Sequence, residues 1–410
     1  MECRNCGGQA EIVVLDLGSA PLSNRYLTST TLWEPEAWYP LRLVACATCW
    51  LVQTEVALPE DEIFTPEYAY LSSTSPTWLA HAAAFTAAMV DRLSLTAASR
   101  VVEVAANDGY LLQFVQQRAI PCLGVEPTAS TAAIARERGI AIAECFLTAQ
   151  SAVQIRSEFG PADLVIANNV LAHVPDLADF VSGLRELLAP HGVLSLEFPH
   201  LCPFVEEGLF DTAYHEHYSY LSLHAVADIL RRQGLAVIDV ERIPTHGGSL
   251  RVLAQRATAG TEPTAAVASL CADERARGVL TPEYYAGMQG AAERTAHDLL
   301  THLLAARAAG RCVVGYGAAA KGNTLLNFAG VRPNLLEYVV DRSAWKIGRF
   351  LPGSRIPIHD EQRLRQTRPA EICVLPWNLA AEVGTQLAYT RDWGARVFSA
   401  VPRIREVAST

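Results

Sequence analysis

Between Arg100 and about Gln255, short β-branched runs alternate with longer stretches whose apolar positions recur every three or four residues. That alternation is the mark of strands separated by helices. Strands are expected at Val101–Val104, Cys122–Val125, Ala141–Glu144, Leu164–Ala167, Val193–Phe198, Ala236–Glu241 and Leu250–Ala254. Such an order builds a doubly wound α/β sheet, which takes ligands at the carboxyl ends of its strands. Upstream, an alanine-rich apolar helix is expected from about Thr77 to Leu93, with strands earlier around Glu11–Leu15 and Tyr39–Ala45. Downstream, Pro263 to about Ala309 reads as one or two helices linking domains. From Arg311 to Thr324 the strand, glycine loop and helix design is repeated, with further strand ends at Tyr338–Asp341 and Glu371–Trp377.

At 410 residues the chain exceeds what a single core usually supports, so two or three domains are expected. Half of the residues are hydrophobic, 19% are charged and the formal net charge is −10, which gives no basic footprint for nucleic acid. No apolar run approaches the roughly 18 residues of a membrane span, and the N-terminus does not read as a signal peptide. A cytoplasmic location, no membrane partner and a monomer are therefore expected.

The loop after the first strand of the central sheet reads Glu103-Val-Ala-Ala-Asn-Asp-Gly109. Ala105 and Asn107 occupy positions where a dinucleotide fingerprint would carry glycine, which points away from a pyrophosphate and towards S-adenosylmethionine. A sulfonium cofactor carries no phosphate, so small residues and a close backbone approach suffice. Glu103 would serve the amino-acid moiety, with Gly109 and Tyr110 completing the turn. Glu126 ends the second strand 23 residues later, where a carboxylate can take both ribose hydroxyls. Asn168, Asn169 and His173 fall at another strand end and are placed near the same cofactor. Glu197-Phe-Pro-His200 closes the next strand, where substrate could meet the methyl group.

Four of the ten cysteines form two pairs, Cys3-Arg-Asn-Cys6 and Cys46-Ala-Thr-Cys49. Two knuckles of this kind supply the four tetrahedral sulfur ligands that zinc prefers, and a site closed by sulfur is structural. A redox dithiol would need only one pair. Further on, Tyr68 and Tyr70 precede a helix, where tyrosines more often pack than react, but the hydroxyl-rich run Ser72–Ser75 beside them adds weight to a ligand-facing loop. The densest group is Tyr214-His-Glu-His-Tyr-Ser-Tyr220, with two histidines, one glutamate and three tyrosines in seven residues. A metal is the first suspicion for His215 and His217, but on a helix they would point about 200° apart. The alternative is acid–base work, with His217 as base while Tyr214 and Glu216 fix its tautomer and donate to a developing oxyanion. Thr245-His-Gly-Gly-Ser-Leu-Arg251 is assigned to the same pocket, so that His246, Gly247, Ser249 and Arg251 join His200 at the substrate. In the second glycine loop, Gly315, Gly317 and Lys321 open a helix suited to a nucleotide's phosphates, flanked by Tyr316 and Asn323.

Taken together, these stretches resemble the sugar C-methyltransferases that act on nucleotide-linked 4-keto-6-deoxyhexoses in antibiotic pathways. The resemblance rests on the two CxxC pairs, Tyr68–Ser73, Glu103–Gly109, Asn168–Asp176, Tyr214–Tyr220, His246–Arg251 and Gly315–Gly322, in the family's order over nearly the whole chain. It implies a zinc-binding domain over 1–65, a methyltransferase domain over 66–260, a helical linker over 261–309 and a Rossmann-like domain over 310–410 that helps hold a thymidine-diphosphate sugar. It also implies that His217 is the base, with Tyr214, Glu216 and one of Tyr68 and Tyr70 as helpers. Thr74 departs from the pattern, since a larger residue is expected there. The implied chemistry is consistent with the residues. Carbon attacks a methyl sulfonium only with carbanion character, which a proton-abstracting histidine beside a ketone provides at C3 or C5. O- or N-methylation of a related sugar, a non-catalytic nucleotide-sugar binder and a histidine-metal hydrolase are the rival readings.

Overall fold

The computed structural model describes residues 1–63 and 71–407, so Tyr68 and Tyr70 lie outside the described residues. Three sheets organise what is described. The central one holds all seven expected strands, in the order Leu235–Ile243, Ser249–Arg256, Leu188–Pro199, Ala162–Asn168, Val101–Val104, Cys122–Val125 and Ile142–Ala143. Only Ser249–Arg256 runs antiparallel to its neighbours. The carboxyl ends of Val101–Val104 and Ala162–Asn168 therefore point the same way, and the loop from Ala105 and the pair Asn168–Asn169 meet at one edge. Every residue of Val101–Val104 is buried, as expected for a parallel strand covered on both faces. The expected edge strand Ala141–Glu144 is shorter, because only Ile142 and Ala143 have a neighbour to pair with.

The helix before this sheet runs Pro76–Leu93, with Pro76 in its first turn and the Ser75 side chain accepting from the Trp78 amide. Both are helix-start devices. Its buried stripe Ala82, Phe85 and Met89 packs on the sheet face formed by Val101, Ile166 and Val193.

The N-terminal sheet pairs Ala10–Ala20, Tyr39–Cys46 and Val52–Thr54, all antiparallel. Its fourth strand is not N-terminal. Ser219 and Tyr220, at the end of the histidine-rich segment, pair with Gln53 and Val52. The C-terminal sheet has the order Ile358–His359, Val339–Val340, Val313–Tyr316, Glu371–Val374, Arg396–Ser399 and Arg405–Glu406, parallel except for its last strand. The expected linker resolves into helices Ala265–Arg277 and Met288–Ala308. The second is more than a connector: Ala292, Ala296, Leu299, Leu303 and Ala306 belong to one core shared with Leu15, Leu43 and the C-terminal sheet.

Candidate active site

A cavity of about 890 Å3 lies where the three sheets face one another. Its lining comes from the Ala105 loop and Glu126, from Asn168 to Asp176, from the segment Thr212 to Tyr220, and from Lys321, Lys346 and Asn378 of the C-terminal unit.

On the central-sheet side, Ala105, Asn107 and Gly109 all have positive φ, at 58°, 50° and 75°. The tight loop turns its backbone towards the cavity and keeps bulk away. Glu126 is buried and already accepts the Asn107 and Thr128 amides, each at 2.9 Å. Burial raises its carboxyl above the ordinary value, and the remaining lone pairs can still accept ribose hydroxyls. Asn168 and Asn169 line the cavity and leave Asn168 Oδ1 and Asn169 Nδ2 without a protein partner. Small residues, a carboxylate and two spare amide groups at one sheet edge fit S-adenosylmethionine. Tyr110 also lines the cavity and stacks with Trp78.

Two expected cofactor contacts need correction. Glu103 does not line the cavity. It is buried beneath the loop, accepts the Leu112 amide, and is pushed well above the usual carboxylate range by burial and by Asp108 and Glu126. Gly109 does not face the cavity either. A Cβ there would sit 2.5 Å from Ile140 Cδ1, so this glycine lets the loop close on the neighbouring elements.

The histidine-rich segment forms a turn and a strand entry rather than a helix. His217 lines the cavity, and its ring centroid lies 4.1 Å from Tyr214, 4.7 Å from His173 and 6.1 Å from Tyr220. Its Nδ1 is 3.0 Å from the Thr212 carbonyl oxygen. A carbonyl only accepts, so Nδ1 carries the proton and the lone pair sits on Nε2. The tautomer is thus set by the Thr212 carbonyl, a main-chain partner that the sequence did not single out. Glu216 is buried away from the cavity, with Oε1 accepting from Asn24 at 3.1 Å and its carboxyl raised by burial. Burial takes His173 down to about 4, so it is neutral near pH 7. His215 turns to the N-terminal sheet, 3.3 Å from the Pro40 carbonyl oxygen, and shares no site with His217.

Among the substrate candidates, His200 lines the cavity with Nε2 held 2.8 Å from Glu274, whose oxygens also accept the Leu223 and His224 amides. Arg251 is not available: it is bound to Glu197 at 2.7 Å and Glu241 at 3.0 Å within the sheet. Burial alone would raise Glu197, yet the His81 hydrogen bond and the Arg251 charge hold it low. Ser249 Oγ closes the turn onto the Thr245 carbonyl. Gly247 packs on Trp377, where a Cβ would lie 2.6 Å from the indole. His246 belongs to the short helix Thr245–Gly247.

From the C-terminal unit, Lys321 lines the cavity, donates to Asn378 Oδ1 at 2.9 Å and lies 4.6 Å from the Trp377 ring centre. Burial lowers its amine, and Asp211 opposes that. In the same loop the Ala318 amide is turned to Asp341, donating to its Oδ2 at 2.7 Å. Tyr316 points to Gln386 and Asn323 donates to the Ser23 carbonyl, so both hold structure instead of substrate. Sequence reasoning missed Lys346, which lines the same wall and donates to the Ala318 carbonyl at 2.8 Å. A signal existed: the chain has two lysines among 33 basic residues, and both face this cavity.

Apart from the cavity, Cys3, Cys6, Cys46 and Cys49 converge, with Sγ atoms 3.6 Å apart for Cys3–Cys49 and 3.5 Å for Cys6–Cys46. Sulfurs about 2.3 Å from a tetrahedral centre would stand about 3.8 Å apart, so the set fits zinc. The Gly8 and Thr48 amides point at Cys6 and Cys46, as donors to thiolates do.

Small-residue loop, buried strand-end carboxylate and closed four-sulfur site define a methyltransferase that uses S-adenosylmethionine and carries a zinc-binding N-terminal domain. Family models agree segment by segment: a zinc binding domain over residues 3–64, a methyltransferase domain over 78–240 and a C-methyltransferase C-terminal domain over 244–402. The chain is 32% identical over 408 residues to C-methyltransferase NovU from Streptomyces niveus, covering 100% of this chain and 97% of that protein. It belongs to this C-methyltransferase family. Among solved structures, a 1,6-didemethyltoxoflavin-N1-methyltransferase from Burkholderia thailandensis matches 51% of this chain and 96% of its own at 16% identity and TM-score 0.36. An S-adenosylmethionine-dependent methyltransferase from Anabaena variabilis matches 42% and 84% at 15% identity and TM-score 0.35.

Proposed function

We propose that this enzyme methylates a carbon of a thymidine-diphosphate-linked 4-keto-6-deoxysugar, at C3, during assembly of a sugar for an antibiotic-type product. The observation that carries the reading is His217, held as an Nδ1–H tautomer by Thr212 in a cavity shared with the Ala105 loop and two lysines. S-adenosylmethionine, held by Ala105, Asn107, Glu126, Asn168 and Asn169, supplies an electrophilic methyl group. The carbon that receives it must first lose a proton beside the ketone. His217 Nε2 takes that proton, and Thr212 keeps the opposite nitrogen protonated throughout. Tyr214 and Tyr220, which line the same wall, supply hydroxyl donors to the enolate oxygen. Neutral His173 packs against His217 without adding a charge that would oppose its protonation. Lys321 and Lys346 take the diphosphate.

The test is mass spectrometry of the protein with S-adenosylmethionine and a panel of thymidine-diphosphate 4-keto-6-deoxysugars in deuterated water. The expected result is one methyl gained at C3, with solvent deuterium exchange at that carbon. Methylation at C5 would move the position and leave the enolate chemistry. Methylation on oxygen or nitrogen without exchange would overturn it.

A further inference from the structure

The segment that carries His217 is held mainly from outside the sheet that holds the cofactor loop. Ser219 and Tyr220 form the fourth strand of the N-terminal sheet. The Tyr218 hydroxyl donates to the Leu58 carbonyl at 2.6 Å, and the Tyr218 carbonyl accepts the Thr54 amide at 3.0 Å. That same carbonyl receives a second donor, Arg4 Nη2. Arg4 lies between Cys3 and Cys6, inside the first zinc knuckle. Its amide donates to Gln53 Oε1 at 3.1 Å and its Nη1 donates to the Thr54 carbonyl at 2.8 Å. One guanidinium therefore ties the knuckle, the strand Val52–Thr54 and the residue after His217 into one unit. A guanidinium suits this role because its fixed fork of donors can hold two carbonyl oxygens at a set separation, which an ammonium on a flexible stem cannot do.

We propose that Arg4 is a positioning residue for His217, through which the zinc knuckle sets where the base stands. This rests on the reading of His217 as the base. The knuckle fixes the Arg4 backbone, Arg4 fixes the Tyr218 carbonyl, and the peptide between Tyr218 and His217 passes that constraint to the imidazole. The hydrogen bond from His217 Nδ1 to Thr212 defines the ring from the other side. Both anchors are needed, because a ring pinned at one edge can still swing away from the reacting carbon. None of this asks Arg4 to touch substrate or cofactor.

The experiment compares the full-length zinc-loaded protein with Arg4→Met and Arg4→Lys. Arg4→Met keeps the alkyl stem and removes every donor, and Arg4→Lys keeps the charge and one donor centre. Zinc content, S-adenosylmethionine affinity, steady-state kinetics and amide hydrogen exchange of the peptide spanning 212–221 are measured together. The expected result for Arg4→Met is unchanged zinc and cofactor affinity, faster exchange across 212–221, and kcat lower by about tenfold with little change in KM for the sugar, the signature of a misplaced group. Arg4→Lys should recover part of kcat. Arg4→Met with wild-type kcat overturns the proposal, and so does loss of zinc together with activity, since Arg4 would then act on the metal site itself. Failure of the base reading is distinguishable. In that case the unsubstituted enzyme shows no solvent exchange at the substrate carbon, whatever Arg4 does.

Discussion

His217 can act as a base because of one short contact, the Thr212 carbonyl on Nδ1. His217→Asn keeps the approximate size and one donor but has no titratable nitrogen to accept the substrate proton. Turnover should fall by about 10²-fold or more while cofactor affinity stays the same, checked by single-turnover methylation and calorimetry. Its neighbour His173 gives a pH prediction of a different kind. Burial depresses the folded-state value from 6.5 to about 4. Between those two values the unfolded chain binds a proton that the folded chain refuses, so this contribution to stability is complete above about pH 6.5 and is lost as the pH falls towards 4. Urea unfolding at pH 7 and pH 5 should show wild type losing more stability than His173→Asn over that interval. Equal losses in the two proteins would remove His173 from the acid response.

The elements that were legible in sequence are those whose pattern is local. Val101–Val104 is found where its β-branched run stands, Cys122–Val125 where a short apolar run ends in a carboxylate, and the cysteine knuckles converge as their spacing requires. What was not legible depends on which partner an element finds. Ser219–Tyr220 is two residues long and becomes a strand only because Gln53 and Val52 lie beside it. Arg251 looked like a substrate contact beside two glycines, yet its strand neighbour places Glu197 directly opposite. Glu103 carries the expected residue type at the expected loop, but it lies under the loop where burial keeps it from the cavity. Gly317 shows the same dependence at a turn. Its φ is +85° and a Cβ would stand 2.6 Å from Pro376 Cδ, a proline that the adjacent strand brings there. Gly317→Ala should therefore cost about 1–3 kcal/mol from the strained backbone alone, read as a lower melting temperature. Because the same loop carries Ala318, the acceptor for Lys346, its KM for the nucleotide sugar should rise while cofactor affinity holds.

At the scale of the whole molecule, the cavity separates its lining by origin: the central sheet supplies the cofactor edge, the N-terminal sheet braces the segment carrying His217, and the C-terminal unit supplies positive charge. A chain with net charge −10 and 31 arginines spends both of its lysines on this wall. Lys321 is neutralised in part by Asp211, whose own carboxyl burial pushes up to about 6, and Lys346 by Asp341 at 3.8 Å. These partners let two half-buried cations stay charged before substrate arrives, at the cost of weakening each as a phosphate donor. If the lysines take a diphosphate, each charged hydrogen bond should be worth about 1.5–3 kcal/mol, or roughly a 10- to 100-fold change in affinity. Lys321→Met and Lys346→Met should thus raise KM for the nucleotide sugar by about that much each, with less effect on kcat than His217→Asn and none on cofactor affinity. Leaving Asp211 buried without its cation adds a stability loss to Lys321→Met that Lys346→Met should not share, because Asp341 keeps the Ala318 amide and Asp211 keeps only neutral donors, including the indole of Trp377 at 2.8 Å. Equal melting temperatures with equal KM shifts would mean that the Asp211 charge is not held by Lys321, and unchanged KM in both variants would place the diphosphate elsewhere.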